Sequence, residues 1–238
     1  LLGGFNGTET SADQRNPEAN ETILSGDLNG DDPDSTFAYR SDNVMNVMRI
    51  NANITNETLI DGFTIKGGQA DGTGVTSQQW GGGIFCAGIP VIRQCVFKYN
   101  HANLNGGAIN LHASVAGEMV IEYCRFENNR ADAGGGIHMN PMQFTNGQSI
   151  QIKNCIFSEN AARKDNGGAI KFLPRGNNGS FTLTDCEFEG NNAKYNGGGL
   201  FIYNIQSLNG LDIIMDGCHF SQNSAEVYNG GGFWAGLN

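Results

Sequence analysis

The stretch "CIFSENAARKDNGGAIKF" spans Cys155–Phe172. Near-copies flank it: "CRFENNRADAGGGIHM" begins upstream at Cys124, and "CEFEGNNAKYNGGGLFI" begins downstream at Cys186. The Phe-x-x-Asn unit inside it occurs at Phe97–Asn100, Phe126–Asn129, Phe157–Asn160, Phe188–Asn191 and Phe220–Asn223, in steps of 29, 31, 31 and 32 residues. Two residues before each Phe stands Cys95, Cys124, Cys155, Cys186 or Cys218, and two after each Asn stands Ala102, Ala131, Ala162, Ala193 or Ala225. Glycine clusters are closed by Ile84, Ile109, Ile137, Ile170, Leu200 and Phe233. A weaker copy, "LIDGFTIKGGQA" at 59–70, puts Phe63 in the cysteine place and Ile65 in the phenylalanine place.

Within a copy the apolar residues alternate. Ile150, Ile152, Cys155 and Phe157 form one set, and Phe181, Leu183, Cys186 and Phe188 the next. A period of two means strand, with the extra residue marking a corner. Each unit of ~30 residues thus holds about three short strands and no helical period, the signature of a solenoid. A propeller blade needs four strands, so a three-stranded coil fits better. The fold expected is all-β, a parallel β-helix whose equivalent residues stack ~4.8 Å apart. Cys and Phe form the inward ladder. Asn forms a turn ladder, suited to left-handed backbone and to side-chain amide pairing up the stack. The glycines serve a tight corner.

Composition excludes several classes. Of 238 residues, 35 are glycine and 5 proline with no three-residue period, so the chain is not collagen-like. Only 16% are charged, and apolar residues recur regularly, so it is not a disordered tail. The net charge of −10 argues against a nucleic-acid partner. No apolar run is long enough for a transmembrane segment. The chain opens on "LLGGF", which reads as strand, and stops at "GGGFWAGLN", just after a repeat begins. It reads as one β-helix segment of a longer polypeptide whose neighbouring coils are its partners. Residues 1–58 form irregular N-terminal coils with an acidic loop, and 59–238 the regular coils.

The "NGGAI" pairs at 105–109 and 166–170, with the FxxN units, resemble the repeats of the chlamydial polymorphic outer-membrane protein family. The stretch "GGFNGTETSADQRNPEANETILSGDLNGDD", followed by "LIDGFTIKGG", is similar to large secreted β-helix surface proteins of Bacteroidetes-type bacteria. The resemblance covers nearly the whole chain. It implies a right-handed parallel β-helix displayed outside the cell, often as part of an adhesin. Both motifs are structural in those families, so the resemblance carries over no catalytic residue. Several coils here read GGG where the family pattern has GGA.

Candidate chemistry is sparse. Stacked cysteines on neighbouring coils would hold Cβ atoms ~4.8 Å apart, beyond disulfide reach, so the five ladder cysteines read as buried thiols; a Cys86–Cys95 bond is the one alternative. In "GDLNGDDPD", Asp27, Asn29 and Asp31 alternate, with Asp32 and Asp34 following. Hard oxygen ligands at that spacing suit calcium; the alternative is a solvated acidic turn. The outward column Arg93, Glu122, Lys153, Thr184, Asp216 reads as charges neutralising one another, and Val96, Arg125, Ile156, Glu187, His219 forms a second column. Neither concentrates carboxylates. His101, His112, His138 and His219 read as scattered surface residues.

The column after the glycines is Phe85, Asn110, His138, Lys171, Phe201, Trp234. Phe85, Phe201 and Trp234 make it a candidate binding face for sugar rings or a neighbouring surface, unless a loop covers it. The longest insertions, 140–149 and 203–212, fall at one corner, where solenoids often place a binding face. The reading reached is a non-enzymatic extracellular, cell-surface stalk or adhesin segment, whose partner is a carbohydrate or a host or neighbouring cell surface. The rivals are a carbohydrate-active enzyme of the β-helix type and an ice-ordering face, the latter lacking any Thr-x-Thr array.

Overall fold

A computed structural model describes residues 1–33, 36–112, 117–144, 148–176, 179–203 and 211–236, with side chains for all but 140–144 and 175–176. It is a right-handed parallel β-helix. One coil illustrates the path. Ile109–Leu111 follows the glycines, Glu118–Glu122 comes next, Arg125–Glu127 carries the phenylalanine, and the two-residue strand Arg130–Ala131 precedes the next glycines. Repetition of these four segments builds four parallel sheets of seven, six, seven and six strands. The fourth is the two-residue ladder, which the sequence reading assigned to a turn. Ala is small there because the segment is only one hydrogen-bonded step between two corners.

Each coil turns at three single residues in left-handed conformation. Gly62, Gln94, Tyr123, Asn154, Asp185 and Gly217 make the corner before the cysteine place, with φ between 50° and 78°. Gly67, Tyr99, Asn128, Glu159, Gly190 and Gln222 make the corner before the asparagine place. The first glycine of each cluster makes the third; at Gly106 φ is 66°. The second glycine is needed for another reason: a Cβ on Gly107 would lie 2.4 Å from the Gly135 carbonyl oxygen of the next coil. The expectation that the ladder asparagines adopt the left-handed conformation is therefore corrected. The residue before each asparagine takes it, which turns the asparagine side chain inward.

Inward, Asn100, Asn129, Asn160 and Asn191 are completely buried. Nδ2 of Asn129 donates to the Phe97 carbonyl at 2.8 Å and to Asn160 Oδ1 at 3.0 Å. Asn160 repeats this with Phe126 and Asn191, and Asn191 with Phe157 and Asn223. Each Oδ1 also accepts the backbone N–H of the preceding asparagine; that from Asn129 reaches Asn160 at 3.1 Å. Both amide protons and both acceptor positions are used, so the amide is buried without loss.

The rings beside this ladder stack almost parallel. Phe97, Phe126, Phe157, Phe188 and Phe220 have centroids 4.8, 4.6, 4.8 and 4.5 Å apart, tilted by no more than 5°. All six cysteines are free; five are buried and Cys218 is half-buried. The ladder thiols tie off the first corner: Sγ of Cys155 donates to the Lys153 carbonyl at 3.2 Å, and Cys124 repeats this with Glu122 at 3.3 Å. Burial pushes the Cys86 thiol up to about 12.

The first 58 residues wrap onto the same stack. Leu2 bridges Asp61, Thr22–Ser25 pairs with Phe63–Lys66, and Met48–Ile50 pairs with Ile84–Cys86. Leu24 thereby falls opposite Ile65, which itself falls opposite Phe97. Residues 27–33 and 36–43 lie off the stack, and the chain rejoins it where Val44 N–H donates to the Gly26 carbonyl.

Phe157→Ala removes the middle ring of the ladder and leaves a cavity between Phe126 and Phe188. The expected cost is ~3–5 kcal/mol, read from urea or thermal melts. A wild-type melt would remove the ladder's energetic role.

Candidate functional site

The column after the glycines forms as one register: Arg49, Phe85, Asn110, His138, Lys171, Phe201 and Trp234 lie opposite one another on successive strands. It points away from the core, yet most of it is covered. Asn110, His138, Lys171 and Phe201 are all buried. The three candidate aromatics consequently do not share one open face. Phe85 belongs to a cluster at the N-terminal end, where Arg49 lies 4.4 Å from its ring centroid and Trp80 stacks at 6.4 Å. Phe201 and Trp234 meet at the other end.

There the rings of Phe201 and Trp234 stack at 4.7 Å with an 8° tilt, and Tyr203 lies 6.0 Å from Trp234. With Asn166, Lys171, Leu173 and Asn196 they line a groove of about 380 Å³. Lys171 Nζ is 2.6 Å from Asp165, which balances its charge beside the groove. The asparagines belong to a second amide ladder: Asn196 Nδ2 donates to Asn166 Oδ1 at 3.0 Å, and Asn229 N–H donates to Asn196 Oδ1. Sequence reasoning missed this ladder, although "NGG" at 166–168, 196–198 and 229–231 spells it. The groove thus offers a flat apolar wall facing fixed amide dipoles, an arrangement suited to stacking and hydroxyl recognition. Of the two insertions expected at a binding corner, 145–147 and 204–210 lie outside the described residues.

The acidic loop gathers differently from the sequence spacing. Carboxylate oxygens of Asp27, Asp31 and Asp42 lie within 4.8 Å of one another, close enough to share a cation. Asp42 enters from the turn Arg40–Asp42, fifteen residues after Asp27. Its Oδ2 accepts the backbone N–H groups of Leu28 and Asn29, so Asn29 joins the cluster through its main chain. Partial burial opposes charge on Asp27, but N–H groups of Asp32, Gly30 and Asp31 outweigh it and hold the carboxyl below its ordinary value. Burial raises Asp32 instead, even though Asn43 donates to it at 2.7 Å. Asp34 lies outside the described residues.

The same loop reaches across the coils. Arg40 Nη1 donates to the Tyr99 carbonyl at 2.6 Å, and Phe37 sits between the Arg40 and Arg130 guanidinium groups, 4.5 and 3.6 Å from its centroid. This buries His101, correcting the expectation of a surface histidine; His138 is buried in the covered column, a second correction. Burial, with Arg163 and Arg130 nearby, lowers the His101 pKa to about 3. Among the described residues no helix is long and apolar enough to cross a membrane. No protein-family model matches the chain, nor does any curated protein or solved structure.

The buried histidines make stability pH-dependent. Below ~6.5 the unfolded chain takes up protons that folded His101 refuses, so stability is complete above that pH and falls toward 3, by about 1.4 kcal/mol per unit. His101→Gln should recover ~2 kcal/mol of the loss between pH 6.5 and 4.5, measured by urea melts at the two pH values. Parallel losses in wild type and variant would place the histidine's proton elsewhere.

Proposed function

We propose that this chain is a segment of an extracellular, surface-displayed β-helix that binds a polysaccharide without cleaving it, serving as stalk and adhesin together. One observation carries the reading: the Phe201–Tyr203–Trp234 groove, whose stacked rings face the amides of Asn166 and Asn196. Glycoside hydrolysis calls for two carboxyl groups flanking the bond to be broken. Among the described residues no carboxylate lines this groove, and the nearby Asp165 is engaged by Lys171. The resemblance to secreted and outer-membrane β-helix proteins supports display at a cell surface, toward a host or neighbouring cell. It also supports neighbouring coils in one longer polypeptide.

The test is incubation with neutral and acidic polysaccharides. Binding is expected, and Trp234→Ala should weaken it at least tenfold while the melting temperature stays put. New reducing ends, or an unsaturated product absorbing in the ultraviolet, would make the chain a carbohydrate-active enzyme.

Calcium is the ion we assign to Asp27, Asp31 and Asp42, since the donors are hard carboxylate oxygens at the surface. Addition of 10 mM calcium, roughly ten or more times the dissociation constant of an extracellular module, should stabilise the fold by ~1–3 kcal/mol. The gain should vanish with chelator or in Asp42→Asn. An equal gain in Asp42→Asn would mean that the loop is a solvated acidic turn.

A further inference from the structure

Gly62, Asn154, Asp185 and Gly217 suit the left-handed corner before the cysteine place; Gln94 and Tyr123, with φ of 50° and 55°, do not. A bulky residue at such a corner is a cost that the rest of the fold must absorb. Tyr99, at the second corner, shows one use for it. Its ring packs against Phe37 at 6.0 Å and helps hold the acidic loop. Tyr123 has no ring partner among the described residues and is 57% exposed.

What Tyr123 faces is a groove of about 510 Å³. Its rim is the corner column, with Gln94, Tyr123 and Asn154 standing one per coil. Val96 and Ile156 give it an apolar floor, half-buried on the outward side of the phenylalanine sheet. The opposite wall is the N-terminal segment around Pro17, which packs over the corner at Gly62. That wall is pinned: Arg15 reaches the fully buried Asp61 at 2.7 Å and donates to the Gly3 carbonyl at 3.0 Å. Arg125 is neutralised by Glu127 at 2.6 Å, whereas Arg15 shares Asp61 with Arg93, 2.5 Å from the same oxygen, so one positive charge is left for the wall to balance. Glu18 adds a negative charge to the wall.

The groove therefore does not favour an anion. It offers one aromatic face between two amides, spaced by the coil rise of ~4.8 Å, which is close to the length of one pyranose unit in an extended chain. We infer that the Gln94–Tyr123–Asn154 rim is a second glycan site, taking a neutral oligosaccharide along the solenoid axis, with one sugar stacked on Tyr123 and its neighbours bonded to the flanking amides. The site shares no residue with the Trp234 groove.

Tyr123→Gly separates binding from folding, because glycine suits the corner while removing the ring. The full chain carrying Trp234→Ala would be titrated with xylohexaose, laminarihexaose, mannohexaose and chitohexaose, with oligogalacturonate as the acidic arm. At least one neutral probe should bind, shifting the side-chain amide resonances of Gln94 and Asn154. Adding Tyr123→Gly should weaken that binding at least tenfold with a melting temperature unchanged or raised. Three results would overturn the site: no neutral probe binding to the Trp234→Ala chain, binding unaffected by Tyr123→Gly, or oligogalacturonate binding more tightly than every neutral probe. Because Trp234 is already absent, none of these depends on the first groove.

Discussion

The asparagine amide at the second corner of the regular coils, Asn100 to Asn223, is the interaction on which the stack rests. A chain that turns at one left-handed residue strands the carbonyl two residues before it and the N–H after it, both inside the corner. Asn129, Asn160 and Asn191 serve both groups with one side chain, and each binds the next. A buried polar group left unpaired costs about 1–3 kcal/mol, so a coil without its asparagine would damage two corners. The amide also enforces register. It reaches the carbonyl of the coil below only when the coils sit one strand spacing apart with equivalent residues superposed, and that condition brings the phenylalanine rings to 4.6–4.8 Å.

Register, once enforced, decides where function can sit. Inward columns are committed to packing and corner columns to backbone geometry, so variation is cheapest on outward columns and in excursions from the stack. The Trp234 groove obeys this, and the Tyr123 groove departs from it. Trp234 and Phe201 occupy outward places after the glycines, whereas Tyr123 occupies a corner whose side chain points to solvent. The acidic loop is an excursion, and it returns through Arg40 and Phe37 to brace coils far along the sequence, tying 36–43 to Tyr99 and Arg130.

The repeating part of this architecture was legible because every coil spells the same constraint with the same residue types. Even the degenerate copy at 59–70 falls in place, with Ile65 opposite Phe97. Apart from the NGG amide ladder, what escaped had no repeated spelling. The left-handed corners carry Gln94, Tyr123, Asn154 and Asp185 in succession, so no column of one residue type betrays them. Burial of His101 depends on Phe37, which lies outside the repeats and more than sixty residues earlier. The carboxylate cluster draws Asp42 from beyond its own motif, and the Tyr123 groove owes its far wall to residues near the N-terminus. In each case the decisive neighbour belongs to the non-repeating part of the chain, for which periodicity offers no guide. The aromatic column was read correctly in register, and the cover weighed for it falls on its middle members, whose burial alternation alone does not fix.

The uniform pitch has a consequence for heredity. Neighbouring units of about thirty residues share one register, so gain or loss of a single unit would insert or remove a whole turn. Such a product still closes every corner, because the asparagine of any coil can seat on the phenylalanine carbonyl of any other. The polypeptide would lengthen or shorten by ~4.8 Å per turn, like a ladder gaining a rung, and the height at which the Trp234 groove is held would change while its chemistry stayed the same. Reach is thereby separated from recognition, and selection can act on either alone.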